Sequence, residues 1–317
     1  MSDSTLRVAL AQIAPIWLQR EATAQKIVAW MGKAAAEDCE LVVFGEALLP
    51  GYPFWVERTD GARFDSAVQK ELFAHYAEQA IVVERGDLDP IREAAKKHSI
   101  ATYLGTIERA DNRGGHSLYC SMVYIDASGE VCSVHRKLMP TYEERLVWAS
   151  GDGHGLRTHE LGPFTAGGLN CWENWLPLPR AALYAQGEDL HIAIWPGNQR
   201  NTRDITRFIA KEGRSYVVSV SGLMRKEDIG DNLPHSSLLQ ETADELMANG
   251  GSCIALPTGE WLLEPESGSE SLRVGELDHR IVLQERHNMD VVGHYSRPDV
   301  TRLIVNRKRQ STAKFSD

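Results

Sequence analysis

The sequence predicts a single layered α/β domain followed by a short tail. Short β-rich runs alternate with helical stretches along most of the chain, a pattern typical of layered α/β folds. The length of 317 residues and the apolar content of 43% allow one large domain or two small ones with a substantial core. No linker, low-complexity run or sequence repeat interrupts the alternation, which favours one domain. We therefore expect a domain over residues 1–289 and a C-terminal tail over 290–317.

The first half of the chain sets this alternation. A buried strand and an amphipathic helix come first, and a second buried strand runs into a turn rich in glycine and proline. A later helix has Asp89 as a candidate N-cap and Pro90 in its first turn, where proline is tolerated. The turn "DASGE" joins the last two strands as a hairpin. The predicted strands cover 6–13, 39–53 (with its turn), 101–108, 121–127 and 130–137, and the predicted helices cover 21–38 and 88–99.

The second half repeats the rhythm. Gly187 closes one of its helices, because glycine readily adopts the left-handed conformation that ends many helices. The predicted strands cover 164–171, 190–196, 216–223, 252–257 and 271–278, and the predicted helices cover 178–187, 202–215 and 280–289. Strands and helices interleaved in this way indicate a layered domain rather than separate all-β and all-α units.

The tail is distinguished by its basic side chains, which are Arg302, Arg307, Lys308, Arg309 and Lys314. Two interpretations stay open: a solvated terminal arm, or a contact with a partner or a second subunit. The segment is too short and isolated to indicate a nucleic-acid-binding protein.

Composition and charge argue against several classes of partner. The formal net charge is −10, and an acidic surface repels both phosphate backbones and anionic lipid. No segment reaches the roughly 18 apolar residues of a membrane helix, and "MSDSTLRVALAQIAP" lacks the pattern of a signal peptide. The five cysteines are odd in number and scattered, without C-x-x-C or H-E-x-x-H. We expect a cytoplasmic protein without nucleic-acid partner, membrane segment or structural metal.

Glu46 is the first candidate for chemistry. It follows the apolar run "LVVF", at the expected end of a buried strand. Burial disfavours a charged carboxylate and raises its pKa, which suits a general base or acid. The alternative is a glutamate that caps the strand end or pairs with an arginine.

Lys137 is the second candidate, because it closes the predicted strand 130–137. A lysine held in a water-poor site can supply a fixed positive charge to a developing anion, whereas a basic strand end is more often a solvated edge. Glu144 follows seven residues later and is a candidate to orient this lysine or to help the base. Glu143 fits that description equally well, and one of the two is expected to be a surface charge.

Cys171, in "GLNCWENW", is the third candidate. It ends a strand with two adjacent glycines, and a sharp turn there exposes a side chain beside free backbone N–H groups. Such groups and a nearby lysine would lower the thiol pKa from about 8.5. The other cysteines, Cys39, Cys120, Cys132 and Cys253, are interpreted as core or surface fillers. No histidine has a spacing that identifies a Cys/His pair, which suggests a thiol served by glutamate and lysine.

Three motifs occur in a characteristic order: "GEALLPGYP", "HRKLMPTYEERLVW" and "GLNCWENW". With them the chain resembles the nitrilase superfamily, and the nitrilase branch in particular, over nearly its whole length. "CWEN" is typical of the nitrile-hydrolysing branch, and "PTYEERLVW" fits the pattern of a Pro-Thr, two variable residues, Glu-Arg and a later Trp. The sequence departs from the family at Cys120, where members commonly carry asparagine.

The resemblance implies a fold and a reaction. The fold is a four-layer α-β-β-α sandwich that forms a homodimer or a higher homo-oligomer. The reaction is hydrolysis of a small-molecule nitrile to the carboxylic acid and ammonia, with no metal or organic cofactor. The implied triad is Glu46, Lys137 and Cys171, with Glu144 as an auxiliary glutamate.

Aromatic residues near the motifs are candidates to line the substrate pocket, although each is equally explained by core packing. Tyr52 and Trp172 are the strongest of these candidates, and Pro196, in "WPGNQRN", is expected to help close the pocket. The sequence does not specify aliphatic, aromatic or arylacetonitrile substrates.

Other functions are compatible with the same motifs. An amidase or carbamoylase, or a hydratase that stops at the amide, would use the same triad and differ in the group that leaves. A catalytically silent interaction protein and a redox-regulated thiol protein belong to other classes. The intact triad argues against the first, and the lack of a nearby resolving cysteine argues against the second.

Overall fold

Strands and helices alternate through the computed structural model, which describes residues 4–313. The strands in chain order are β1 Thr5–Gln12, β2 Leu41–Phe44, β3 Ala101–Arg109, β4 Leu118–Ile125, β5 Val131–Arg136, β6 His159–Leu161, β7 Phe164–Asn170, β8 Leu190–Trp195, β9 Tyr216–Ser221, β10 Leu223–Arg225, β11 Leu246–Ala255, β12 Trp261–Ser267 and β13 Ser271–Asp278. The helices are α1 Arg20–Ala36, α2 Trp55–Arg58, α3 Ala67–Gln79, α4 Asp89–His98, α5 Pro177–Tyr184, α6 Gln199–Gly213, α7 Ser236–Thr242 and α8 His279–Asn288.

The strands form two sheets of similar design. The first has the order β13-β1-β2-β3-β4-β5, with β1, β2 and β3 parallel and the flanking strands antiparallel. The second has the order β10-β11-β9-β8-β7-β6, with β7, β8 and β9 parallel, and β12 also pairs with β11. The parallel centre of each sheet therefore comes from a different half of the chain, in agreement with the rhythm of the sequence.

The two sheets pack face to face and each is covered outside by helices. Side chains alternate along each strand, so β8 directs Leu190, Ile192 and Ile194 into the core between the sheets. Its alternate residues Ala193 and Trp195 pack with the apolar face of α6. On the other side of the molecule, α1 and α4 pack on the first sheet. These layers make the four-layer α-β-β-α sandwich that the resemblance implies.

Most of the predicted elements are confirmed within two or three residues at their ends. Asp89 is wrong as an N-cap, because it is already the first residue of α4 and its carboxylate pairs with Arg92 instead. The elements without a prediction are α2, α3, α7, β6, β10 and β12. None of the helices in residues 4–313 is long and apolar enough to cross a membrane.

The described part of the tail, residues 290–313, has turns over 291–295 and 298–300, forms no helix or strand, and is mostly exposed. Two of its basic residues nevertheless bind the body of the chain. Arg309 donates to Asp152 and to the carbonyl oxygen of Val134, both at 2.9 Å, and Arg307 donates to Gln186 at 2.8 Å. These two arginines are therefore anchored on the domain. Lys314 lies outside the described residues, and the boundary at residue 290 stays a prediction.

Candidate active site

Three strand ends converge at the site. Glu46 follows β2, Lys137 follows β5 and Cys171 follows β7. The backbone N–H of Glu46 donates to the carbonyl oxygen of Trp195 at the end of β8, at 3.1 Å, so this contact links the two sheets. All three candidate side chains are 2% exposed or less.

A glycine in β3 allows the Glu46 loop to lie this close to the first sheet. A Cβ at Gly105 would lie 2.2 Å from the carbonyl oxygen of Gly45 and 2.6 Å from the Cα of Glu46. Real Cβ atoms do not approach backbone atoms so closely, so any larger residue at position 105 would displace the loop. The position of Glu46 thus depends on Gly105.

The ammonium of Lys137 lies between two buried carboxylates. Its Nζ is 3.0 Å from Oε1 of Glu46 and 2.7 Å from Oε2 of Glu144. Carboxylate oxygens of both glutamates and the Sγ of Cys171 lie within 4.8 Å of one another. The four residues predicted to be catalytic are therefore brought together in one buried cluster.

The cluster alters the proton affinity of its members. Burial, together with the charge of Glu144, raises the pKa of Glu46 to about 7, and Lys137 opposes this rise. Burial alone would lower the pKa of Lys137, but the charges of Glu46 and Glu144 outweigh it and raise this pKa well above its usual value. Glu46 can thus exchange a proton near neutral pH beside a lysine that stays charged.

The thiol of Cys171 differs from the sequence-based expectation. Burial and the charge of Glu46 raise its pKa well above the usual value, although Lys137 and the backbone N–H of Trp172 act in the opposite direction. The prediction of a lowered thiol pKa is wrong because burial next to carboxylates outweighs the lysine and the turn. The resting sulfur therefore carries its proton and needs a base to remove it.

The two neighbouring glutamates occupy different places. Glu144 is buried, and its carboxylate accepts from the backbone N–H of Thr141 at 2.6 Å and from the Tyr52 hydroxyl at 2.9 Å, besides Lys137. Glu143 is half-buried and accepts from the same hydroxyl at 3.3 Å. Glu144 is thus the member of the pair that lies in the cluster. Glu143 also lines a groove of about 460 Å³ with Tyr142 and Leu146.

The side chain of Asn174 holds the turn that carries Cys171. Cys171 has a φ of +46°, in the left-handed region that side chains disfavour. The amide of Asn174 donates to the carbonyl oxygens of Leu169 at 3.2 Å and Cys171 at 2.9 Å. Its own oxygen lies 2.8 Å from Nε2 of the buried His191. This imidazole holds the turn but makes no direct contact with the sulfur, consistent with a thiol that is not served by histidine.

The predicted pocket residues lie around the cluster. Tyr52 reaches it through its hydroxyl, Trp172 follows the sulfur-bearing residue with half of its surface exposed, and Pro196 follows the end of β8 beside Glu46. Their roles in substrate binding stay predictions. Trp148 is not among the predicted pocket residues, yet its ring centre lies 5.6 Å from Nζ of Lys137 and its ring is perpendicular to that of Tyr52, with the two centres 5.5 Å apart.

Cys120 is a second residue of the site that the sequence did not predict, since it is interpreted there as a filler of the core or the surface. Its Sγ donates to Oε1 of Glu46 at 3.5 Å, and its carbonyl oxygen accepts from the backbone N–H of Lys137 at 2.8 Å. Burial raises the pKa of this thiol, which therefore stays a donor. Oε2 of Glu46 has no partner among residues 4–313. The only signal of this contact in the sequence is the cysteine at position 120, where members of the family commonly carry asparagine.

The donor set does not fit a metal ion well. Glu46, Glu144 and Cys171 offer three convergent ligand atoms, but the ammonium of Lys137 already bonds to both carboxylates. A cation would have to displace this lysine from the centre of the cluster. The lysine supplies the positive charge that such a set requires.

Comparison with known proteins shows the family of the chain. The family model described as carbon-nitrogen hydrolase matches residues 7–284. An aliphatic nitrilase of Sinorhizobium fredii is 32% identical over 311 residues, covering 96% of this chain and 97% of that protein. A bifunctional nitrilase/nitrile hydratase of Nicotiana tabacum is 32% identical over 317 residues, covering 99% of this chain and 90% of that protein.

Solved structures support the fold independently. A variant of an amidase from Nesterenkonia, of the nitrilase superfamily, superimposes with a TM-score of 0.65 at 18% identity. The match covers 91% of this chain and 96% of that one. At this identity the likeness concerns the sandwich alone. The family model and the two relatives extend over nearly the whole chain, and on that ground the protein belongs to the carbon-nitrogen hydrolase family, in its nitrilase branch.

Proposed function

We propose that the protein hydrolyses a small-molecule nitrile to the carboxylic acid and ammonia. The observation that carries this proposal is the buried cluster of Glu46, Lys137, Glu144 and Cys171 in a chain of the nitrilase branch. In this proposal Cys171 is the nucleophile, Glu46 the general base and Lys137 the electrostatic stabiliser.

The first step forms a covalent bond between sulfur and the nitrile carbon. Glu46 accepts the thiol proton of Cys171, and the sulfur attacks the carbon while a carbon–nitrogen π pair moves to nitrogen. That nitrogen takes the proton from Glu46, which leaves a thioimidate. The ammonium of Lys137 stabilises the negative charge that develops on nitrogen. A weakly electrophilic nitrile requires the thiolate, which explains why the base must lie within reach of the buried thiol.

Two waters complete the reaction. Glu46 removes a proton from the first water, which adds to the thioimidate carbon, and passes that proton to the nitrogen to give a tetrahedral intermediate with a hydroxyl and an amino group. The hydroxyl proton then moves through Glu46 to the amino nitrogen, the carbon–nitrogen bond breaks, ammonia leaves, and a thioester remains. The second water hydrolyses the thioester, so the acid leaves and the Cys171 thiol is restored. The balance is one nitrile and two waters to one acid and one ammonia, with no oxidant or reductant.

Glu144 and Tyr52 act on the cluster without taking part in bond breaking. Glu144 holds the Lys137 ammonium at 2.7 Å, and the Tyr52 hydroxyl holds Glu144 at 2.9 Å. Two carboxylates around one ammonium keep the lysine charged. The proposed role of Glu144 is therefore to fix the position and charge of Lys137.

A second outcome of the same chemistry is release of the amide. If the carbon–sulfur bond of the tetrahedral intermediate breaks before the carbon–nitrogen bond, the product is the amide and no ammonia is formed. The tobacco relative described as a bifunctional nitrilase/nitrile hydratase favours a test for this outcome. The amidase likeness, at 18% identity, does not favour amide as the substrate.

A panel of nitriles tests the proposal. The purified protein is incubated with aliphatic, aromatic and arylacetonitrile substrates and, in parallel, with the corresponding amides, and acid, amide and ammonia are measured. We expect at least one nitrile to give acid and equimolar ammonia. Turnover of amides without turnover of any nitrile would refute the proposed reaction, and amide as the main product from nitriles would assign the hydratase outcome.

We also propose that the chain forms a homodimer, or a higher homo-oligomer, through the outer face of α5 and α6. Leu178 on α5 and Phe208 on α6 are 64% and 51% exposed. The Phe208 ring lies 5.5 Å from the guanidinium of the buried Arg180, so it lies next to α5. Large apolar side chains exposed on neighbouring helices are typical of a subunit contact.

Light scattering on variants tests this contact. We expect Phe208→Glu to reduce the molar mass in solution to that of a monomer, because the apolar contact of the ring is lost and a carboxylate is costly to bury in a subunit interface. Phe64→Glu is the matched control, since Phe64 is 96% exposed in the loop between α2 and α3. An unchanged mass for Phe208→Glu would exclude this face as the contact.

A cytoplasmic location is proposed from the state of the cysteines. All five are free, and Cys132 is exposed. Free exposed thiols persist in the reducing cytosol and are oxidised in secretory compartments. A reducing compartment would also keep Cys171, the proposed nucleophile, in the thiol form.

A further inference from the structure

We propose that Glu173 is a positioning residue that sets the relative placement of Cys171 and Lys137. It lies two residues after the sulfur-bearing residue, is 2% exposed and takes no part in the steps given above. The inference rests on the proposed function only for its kinetic readout, because the surroundings of the Cys171 sulfur can also be tested through its rate of alkylation.

The carboxylate of Glu173 joins two strand ends. Its Oε2 accepts from the backbone N–H of Asn170, the residue before Cys171, at 3.0 Å. Its Oε1 accepts from the backbone N–H of Leu138, the residue after Lys137, at 2.9 Å. One side chain thus bonds to the neighbours of both groups in the reaction. The separation of sulfur and ammonium is set through these two bonds.

The turn needs such a support. Cys171 is held at a φ of +46°, which a residue with a side chain adopts only when its surroundings fix it. The segment Cys171–Trp175 is a single short 3₁₀ turn, too short to hold its own shape. The Glu173 carboxylate accepts from the backbone N–H of Asn170, the residue just before this segment, so it closes the turn at its start.

The support requires a carboxylate. A third donor, Nε2 of the buried His135, lies 2.9 Å from Oε2. Burial acts to raise the pKa of Glu173, but His135 and the N–H groups of Asn170 and Leu138 outweigh it and hold this pKa below its usual value. All three partners are donors, so both oxygens must accept. A glutamine of the same shape would turn an NH₂ group toward at least one of these donors and break a link.

A second buried acid offers a matched control. Asp189 also accepts from a backbone N–H, that of Thr165 at 2.7 Å, and from an imidazole, that of His279 at 2.8 Å. Thr165 lies at the opposite end of β7, six residues or roughly 20 Å from Cys171 along the strand. Asp189→Asn therefore removes an equivalent support from the same sheet without touching the sulfur-bearing turn.

The experiment compares Glu173→Gln and Asp189→Asn in the full-length protein. We measure kcat and KM with a nitrile that the wild type converts, the melting temperature, and the rate of alkylation of Cys171 by iodoacetamide from pH 6 to 10. We expect Glu173→Gln to lower kcat by about 10- to 100-fold with little change in KM, since a small misplacement of reacting groups has an effect of that size. We also expect its alkylation profile to shift along the pH axis. Asp189→Asn should retain the wild-type kcat and profile.

Each result decides the matter. A Glu173→Gln variant with the kcat and alkylation profile of Asp189→Asn would overturn the proposal, because its carboxylate would then support only the fold. If Glu173→Gln does not fold, His135→Ala removes the imidazole donor and keeps the carboxylate. It should lower kcat severalfold and shift the same profile, and an unchanged profile would overturn the proposal. If the wild type converts no nitrile, the proposed function fails, and the alkylation profile still tests the role of Glu173.

Discussion

Cys171→Ala is expected to abolish ammonia release from every nitrile that the wild type converts. Removal of a covalent nucleophile typically lowers kcat by at least about 10⁴-fold, because the remaining groups cannot form the intermediate. In this site Glu46 and Lys137 would stay in place, yet water would have to attack the nitrile directly. The measurement is initial-rate ammonia release at saturating substrate, with circular dichroism to verify the fold.

A second buried cysteine provides the control. Cys253 in β11 is as buried as Cys171 and contacts the hydroxyl of Thr206 rather than any member of the cluster. Cys253→Ala should keep kcat within about threefold of the wild type, with a modest loss of stability from the small cavity. If Cys171→Ala retains turnover, another group is the nucleophile. A wild type inert toward all nitriles would favour the catalytically silent alternative.

The three main residues of the site could be predicted from the sequence because each of them follows a strand. Glu46 comes after the apolar run of β2, Lys137 directly after β5 and Cys171 directly after β7. The order of the three motifs then indicated the family, which supplied the sandwich and the roles. The sequence does not distinguish Glu143 from Glu144. Which of the two carboxylates points into the site depends on the backbone at Tyr142, whose φ lies in the left-handed region.

What the sequence missed depends on contacts between distant segments. Cys120 and Glu46 are 74 residues apart, and nothing local to either shows that the thiol donates to the carboxylate. The sign of the Cys171 pKa shift was wrong for the same reason. Its neighbours in sequence are a turn and backbone N–H groups, whereas burial and the carboxylate of Glu46 come from the folded arrangement.

Among secondary-structure elements, the omissions have local causes. β12 contains a proline and charged residues in "WLLEPES", and it is an edge strand whose pairing with β11 shifts register. The helix α3 buries only Leu72 and Tyr76 strongly, so its apolar period is weak in the sequence. Neither element carries a residue of the predicted site, so neither omission affected the assignment of the site.

Glu46→Gln is expected to lower the rate of hydrolysis strongly and to abolish the fall of kcat/KM on the acid side, its acid limb. The wild-type kcat/KM should fall on the acid side with an apparent pKa near 7, because burial raises the pKa of Glu46 to about 7 and only the carboxylate can accept the thiol proton. Below that value each pH unit protonates most of the remaining carboxylate, so kcat/KM at pH 6 should be roughly a tenth of its value at pH 8. A glutamine accepts no proton, and the rate should fall about 10³-fold.

The neighbouring Glu143 separates this effect from a general change in charge. Glu143→Gln removes one negative charge beside the cluster, yet Glu143 is half-buried and contacts only the Tyr52 hydroxyl among the site residues. It should keep the acid limb and a rate within about threefold, since a single half-exposed charge has a weak effect on its neighbours. The residual rate of Glu46→Gln should be independent of pH between 6 and 8. An acid limb near pH 7 that survives in Glu46→Gln would mean that another group of the cluster titrates there, and Glu46 would then not be the base that activates Cys171.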